Sequence, residues 1–303
     1  MTSRWRVVVM LPAMLAAVAC SSTAAPYREY EIRFEGAARP PLDESPSDEE
    51  LIDAIAWLMS HQLDLPFPEA IKAYVYVNEA TLVDGLVKIA GEKSDDAWDR
   101  GRFAAGVATR RGLFLRGDYL ARMHLVGRAG LFAHELAHVS QSKLRDGGRG
   151  RAAQWILEGH ADWVKLRVLD LLGYQGYGQS RDEIVRSVVG SSTPITLFPD
   201  LRALASNARW TASTSRLGAA ATYGQAFLAV DWLVERCGSA KLVEFLGRFA
   251  LDSSSREEHW DAVFAIPYQQ FVSEFRARLQ GLVRATAPAG AGSPAPPPPS
   301  SCR

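Results

Sequence analysis

Two histidines four residues apart, His134 and His138, stand in the string Phe132-Ala133-His134-Glu135-Leu136-Ala137-His138-Val139. On a helix, residues four apart share a face one turn from each other, so both imidazoles can reach one ion. Glu135 lies about 100° round the helix from His134 and stays near such an ion. Zinc makes water acidic enough to attack a carbonyl near neutral pH, and a carboxylate placed there can take the proton. The plain alternative is an amphipathic helix that happens to hold two histidines. The chain has six histidines, and a chance match to H-E-x-x-H is expected in on the order of one such chain in a hundred.

A third ligand is required. Gln141 and Leu144 occupy the positions where one motif continues with Gly and His, so that arrangement is absent. A glutamate from a second helix is available in Trp155-Ile156-Leu157-Glu158-Gly159-His160-Ala161-Asp162-Trp163. Nineteen residues separate His138 from Glu158, and Asp146-Gly147-Gly148-Arg149-Gly150 supplies a loop that brings Glu158 back. Asp162, one turn beyond Glu158, can accept the outer N–H of a ligating histidine and fix its ring.

His134-Glu135-x-x-His138 followed by Trp155-x-x-Glu158-Gly159-x-Ala161-Asp162 resembles the gluzincin metallopeptidases, and most closely the bacterial peptidase MA-like proteins. The resemblance spans roughly residues 70–280 and includes a later Tyr223-Gly224-Gln225-Ala226-Phe227 helix start. It implies Zn2+ on His134, His138 and Glu158, with Glu135 as base, and peptide or protein as substrate. It further implies that Tyr223 stabilises the oxyanion, and that Gly106, Val107 and Ala108 lie on an edge strand that binds an extended peptide. A tyrosine packed at a helix start and an ordinary sheet strand are the competing readings of those last two features. No residues clearly match the acidic amine-binding motif of the aminopeptidases, which disfavours N-terminal trimming. The family often has an apolar residue where His160 stands, and His160 is expected to face solvent or a cleft. Trp155 and Trp163 are expected in the core, His124 and His259 as structural residues, and Arg110-Arg111 as a solvated turn, with binding of a substrate carboxylate as the lesser alternative. The rival readings are a catalytically silent, peptidase-like lipoprotein acting as a binding or scaffolding module, and an envelope protein without metal.

The elements that must position these groups can be read from periodicity. Strands are expected over residues 27–35, 73–77, 103–109 and 112–116. Ser47-Asp48-Glu49-Glu50 is a capping box ahead of an apolar face of Leu51, Ile52, Ile55, Leu58 and Met59. Residues 80–90 read as a short helix. Beyond Tyr119 the chain reads as helical, over 129–143, 151–172, 182–189, 201–206, 223–236, 240–250 and 269–283. Strands first and helices after give an α+β fold. A small N-terminal β-sheet with an active-site helix is followed by a mainly helical C-terminal part, zincin-like by the resemblance. The divisions are residues 1–19, a signal peptide; 20–46, an N-terminal segment and linker; 47–284, the metallopeptidase domain; and 285–303, a proline-rich flexible tail.

The start of the chain reads as an export signal. Arg4 and Arg6 precede an apolar run that ends Ala17-Val18-Ala19-Cys20-Ser21-Ser22. This resembles a bacterial lipobox, with Ala17 where leucine is usual, and implies lipidation of Cys20. The membrane partner is then a lipid anchor, and the location is the outer membrane facing the periplasm, otherwise periplasmic or secreted. Cys237 and Cys302 could pair in an exported chain, although the composition around Cys302 argues against it. With 303 residues, 34 Lys and Arg against 34 Asp and Glu, and 48% hydrophobic residues, the chain is globular in composition and offers no electrostatic case for nucleic acid.

Overall fold

The computed structural model describes residues 27–34, 36, 38–102, 104–145, 150–250, 255–286 and 302. The export signal, Cys20, the 146–149 loop and, apart from Cys302, the end of the chain beyond residue 286 lie outside the described residues.

Alternation of side chains builds the sheet. Strand β1 (Tyr27–Arg33) pairs antiparallel with β2 (Ala70–Tyr76), β2 runs parallel to β4 (Gly112–Arg116), and β4 pairs antiparallel with β3 (Gly106–Thr109). The order is β1-β2-β4-β3, so β3 is an edge. Ala73, Val75, Leu113 and Leu115 turn one face to the main core, while Tyr74, Tyr76 and Phe114 turn the other onto Leu82, Val83 and Leu86. Successive residues on a strand point to opposite faces, and both faces here are covered.

Helix α1 (Asp48–His61) begins where the capping box puts it. Glu50 N donates to Ser47 Oγ at 3.2 Å, and Ser47 N donates to Glu50 Oε2 at 2.8 Å. Helix α2 (Glu79–Gly85) runs on into a π-helical turn over Leu86–Ala90. The short helices α3 (Ser94–Gly101) and α4 (Gly117–Leu120) flank the β3–β4 hairpin. The remainder is helical: α5 (Leu125–Leu144), α6 (Gln154–Leu171), α7 (Tyr177–Val189), α8 (Asn207–Leu217), α9 (Tyr223–Cys237), α10 (Ser239–Arg248), α11 (Arg256–Val263) and α12 (Tyr268–Thr286). The fold is therefore α+β, a four-stranded N-terminal sheet with a mostly helical remainder. Among the described residues no helix is long and apolar enough to cross a membrane.

Helix α6 lies between α5 and α9 and is buried almost all round. At Gly159 an added Cβ would stand 2.4 Å from the Ala226 carbonyl, so only glycine lets α6 and α9 approach this closely. One end of the helical part is an aromatic core in which Trp155, Trp260 and Phe271 meet, with Trp260 and Phe271 centroids 5.0 Å apart. Trp155 is thus a core residue, and Trp163 packs against the core half-buried.

The structure departs from the sequence reading in several places. Helices α3, α4, α8 and α11 were not expected, β2 starts at Ala70 rather than at 73, and α7 starts at Tyr177 rather than at 182. The third strand starts at Gly106 rather than at 103. Cys237 and Cys302 form a disulfide, with Cα atoms 4.9 Å apart, against the expectation drawn from tail composition. His160 is 1% exposed, neither solvent-facing nor cleft-lining. The reason is that α6 is buried almost all round, and the His160 ring is turned to Gln141 of α5, 3.0 Å from its amide nitrogen.

Candidate metal centre

Helices α5 and α6 pack side by side and bring His134, His138 and Glu158 together, as their spacing implied. One ligand atom from each lies within 4.8 Å of the others. His134 Nε2 is 3.2 Å from His138 Nε2, and Glu158 Oε2 is 3.4 Å and 3.7 Å from those two nitrogens.

The surrounding hydrogen bonds decide which atoms carry lone pairs. His134 Nδ1 is 3.0 Å from Asp162 Oδ1, and an ionised carboxylate only accepts, so Nδ1 carries the proton and donates. Gln141 Nε2 donates to the Leu157 carbonyl at 2.8 Å, which fixes its amide orientation. Its Oε1 therefore faces His138 Nδ1 at 2.9 Å, and that nitrogen also donates. Gln154 Nε2 donates to Glu158 Oε1 at 2.6 Å. What remains are the two inward Nε2 atoms and one carboxylate oxygen; once the histidines give up the protons that Glu158 draws onto them, these are three acceptors pointing at one another. Such a set suits a cation, and its N,N,O composition is that of a divalent metal site with further positions open. The three residues can hold a metal ion.

The charges agree with this. Burial would push His134 down, but hydrogen bonds to Asp162 and Glu158, with their charges, raise it to about 10. Burial opposes the charged form of His138 as well, and the Glu158 carboxylate outweighs it and raises that pKa. Glu158 is held below the ordinary carboxylate range: burial works against this, and the charges and hydrogen bonds of the two histidines prevail. Burial also opposes ionisation of Asp162, yet Lys165 and His134 hold its pKa low. The pocket thus draws in positive charge, which a metal ion supplies in more concentrated form than a proton.

Glu135 follows His134 on α5 and reaches the sheet edge. Its Oε2 accepts from Ala108 N at 2.9 Å. A Cβ at Gly106 would lie 2.9 Å from Glu135 Cγ, so glycine is needed for β3 to pass this close to α5. Tyr223 opens α9 with its ring edge-on to Trp210, centroids 4.9 Å apart. Burial, then the negative charge of Glu158, raises its phenol pKa above the usual value, with Asp162 and Glu135 adding to the effect. The hydroxyl therefore lies within the field of the metal-site carboxylates and stays protonated. Cys20 alone of the expected site residues lies outside the described residues.

Gln141, Gln154 and Lys165 were not singled out as partners of the site. Each stands three or four residues from the group it serves: Gln141 from His138, Gln154 from Glu158, and Lys165 from Asp162, to which it donates at 2.7 Å. Helical spacing was the signal that could have found them. His160 supports Gln141 from behind, with Nδ1 3.0 Å from the amide nitrogen. Burial and the nearby His138 push its pKa down to about 3, so it accepts as a neutral ring.

Compared with protein-family models, curated proteins and solved structures, the chain matches none.

Proposed function

We propose that this protein is a zinc-dependent peptidase of the gluzincin type, with a zincin-like arrangement of sheet edge and paired helices, acting in the bacterial cell envelope. The observation that carries the reading is the convergence of three lone-pair acceptors beside a fourth carboxylate, Glu135, which faces a sheet edge. A bound zinc ion supplies the Lewis acidity that makes water a nucleophile near neutral pH. His134, His138 and Glu158 are its ligands, and Asp162 and Gln141 hold the two imidazoles with Nε2 turned inward.

The chain's own groups then divide the work. An extended peptide pairs with the outward backbone groups of β3, which places its carbonyl over the site. Ala108 N–H holds one oxygen of Glu135 and leaves the other to take the proton from the attacking water. Glu135 passes that proton to the leaving amine. Tyr223, kept protonated, donates to the oxygen on which negative charge builds. The short, buried contacts keep these groups from reorienting during the reaction.

Glu135→Gln tests this reading. A glutamine keeps the shape and the Ala108 contact but cannot accept the proton. The expected result is full zinc content with peptide hydrolysis reduced by at least ~10²–10⁴-fold. Wild-type protein loaded with zinc that cleaves no peptide in a diverse library, or a Glu135→Gln variant with unaltered turnover, contradicts it.

A further inference from the structure

Helical spacing puts Glu158, Asp162 and Lys165 on one face of α6, four and then three residues apart. Glu158 faces the metal centre and Asp162 holds the His134 ring. Lys165 takes no part in holding the ion or moving the proton. Its stem lies against α5 at Gly130, one turn before His134, where an added Cβ would stand 3.4 Å from Lys165 Cδ and 3.6 Å from its Cγ. Its ammonium donates to Asp162 Oδ1 at 2.7 Å. That oxygen is the same one that accepts from His134 Nδ1 at 3.0 Å. The Asp162 side chain is 9% exposed and that of Lys165 30%.

Two donors on one oxygen share its electron density. A carboxylate that accepts the outer N–H of an imidazole makes the ring a stronger base, so its inner nitrogen gives more charge to an ion. An ammonium on the same oxygen draws that density away, and its charge offsets the carboxylate as felt from the ring. An exposed pair at this spacing does little, because water screens it. Here the acid is buried, the lysine bond is the shorter of the two, and the oxygen it occupies is the one that serves the metal centre.

The second imidazole reaches the same condition by another route. His138 Nδ1 donates to Gln141 Oε1 at 2.9 Å, a neutral amide. The Leu157 carbonyl, 2.8 Å from Gln141 Nε2, fixes that amide. Neither histidine is therefore backed by an uncompensated negative charge. Glu158 is left as the charged group that faces both inner nitrogens.

We infer that Lys165 is a positioning residue acting through Asp162: it offsets the charge of the carboxylate behind His134, which loosens the site's hold on the metal ion and leaves that ion more electrophilic. For its effect on rate this rests on the peptidase reading; for its effect on metal affinity it does not. A lysine that only braced α6 against α5 would weaken the metal site when removed. A lysine that offsets Asp162 must do the reverse, a sign opposite to the loss of Asp162 itself.

Zinc affinity of the parent, Lys165→Met and Lys165→Arg is measured near neutral pH by competition with a chromophoric chelator, with circular dichroism to confirm the fold. Lys165→Met should bind zinc about three- to tenfold more tightly, short of the full reach of a buried outer partner because the lysine is partly exposed. Lys165→Arg keeps the charge and should stay within about twofold of the parent. On a peptide that the parent cleaves, Lys165→Met should lower kcat about three- to tenfold and leave KM within about twofold, since a less electrophilic ion affects the chemical step and not substrate binding. If Lys165→Met does not fold, Lys165→Gln carries the same expectations; if neither folds, the lysine is a brace and the inference falls. Zinc bound equally or more weakly by the neutral variant, an arginine variant that shifts as far as the methionine one, or tighter zinc with kcat unchanged in an active enzyme overturns it. If the affinities move as stated while none of the proteins cleaves any peptide, the peptidase reading falls and the loosening of the metal by Lys165 stands.

Discussion

Two buried carboxylate clusters of this fold look alike and differ in what they lack. Asp231 on α9 is 4% exposed, accepts a hydrogen bond from the Tyr177 hydroxyl, and accepts from Arg181 Nε at 2.6 Å. Arg181 also reaches Glu235 at 3.2 Å. Each acceptor there has a donor from the chain, and the negative charge meets a guanidinium. Glu158 on α6 is 7% exposed and turns one oxygen toward two imidazole nitrogens whose protons lie on their far sides. The first cluster is complete as protein. The second leaves two ring nitrogens and a carboxylate oxygen that can hold a metal ion. A buried charge with its partner in place is a structural feature, whereas acceptors held face to face by a second layer of donors form a site.

That contrast gives predictions of decreasing size. Removing metal with a chelator should destabilise the protein through the second cluster alone. A ligand present at a thousand times its Kd contributes about 4 kcal/mol, which corresponds to a fall in Tm of roughly 8–16 °C for a domain of this size. Thermal melting with and without chelator checks it, and an unchanged Tm would erase the distinction between the clusters. Asp231→Asn should cost about 2–3 kcal/mol, since Arg181 loses its buried counter-charge but keeps Glu235 and some solvent. Denaturant unfolding measures that loss, while zinc stoichiometry should stay at the parent value. Asp162→Asn should weaken zinc about 10- to 100-fold, because an amide still orients His134 but no longer supplies negative charge. Competition against a chromophoric chelator reads this. Acidification should likewise weaken the metal, since a proton on His134 or His138 competes for the same lone pair.

Much of the second cluster was legible in the sequence. The four-residue spacing of His134 and His138, the return of Glu158 after a glycine-rich loop, and Asp162 one turn on are helical arithmetic, and the packing of α5 on α6 realises it. The α1 start was equally legible, because a capping box is local chemistry. The same Ser-x-x-Glu signal at Ser255 and Glu258 marks the start of α11, where Glu258 N donates to Ser255 Oγ at 3.2 Å, and it went unread. Helix α8 gave little pattern to read: only Trp210 and Ser213 are buried, in a run of Thr, Ser and Arg. His160 could not be placed by periodicity. A helix buried on all sides has no polar face against which to phase a side chain, and the His160 ring is turned to Gln141 of the neighbouring α5. The role of Gln141 was hidden for a related reason. It occupies a position at which a different ligand pattern was sought, and only the Leu157 carbonyl and His160 across the helix pair reveal what its amide does.

The central claim is that three chain atoms wait on a cation, and zinc content tests it most directly. The purified protein and Glu158→Ala are each incubated with zinc, desalted and measured by elemental analysis, with circular dichroism to confirm the fold. One zinc per chain in the parent and less than a tenth of that in a folded Glu158→Ala is the result expected. A parent that retains no zinc, or a variant that retains as much as the parent, would contradict the account.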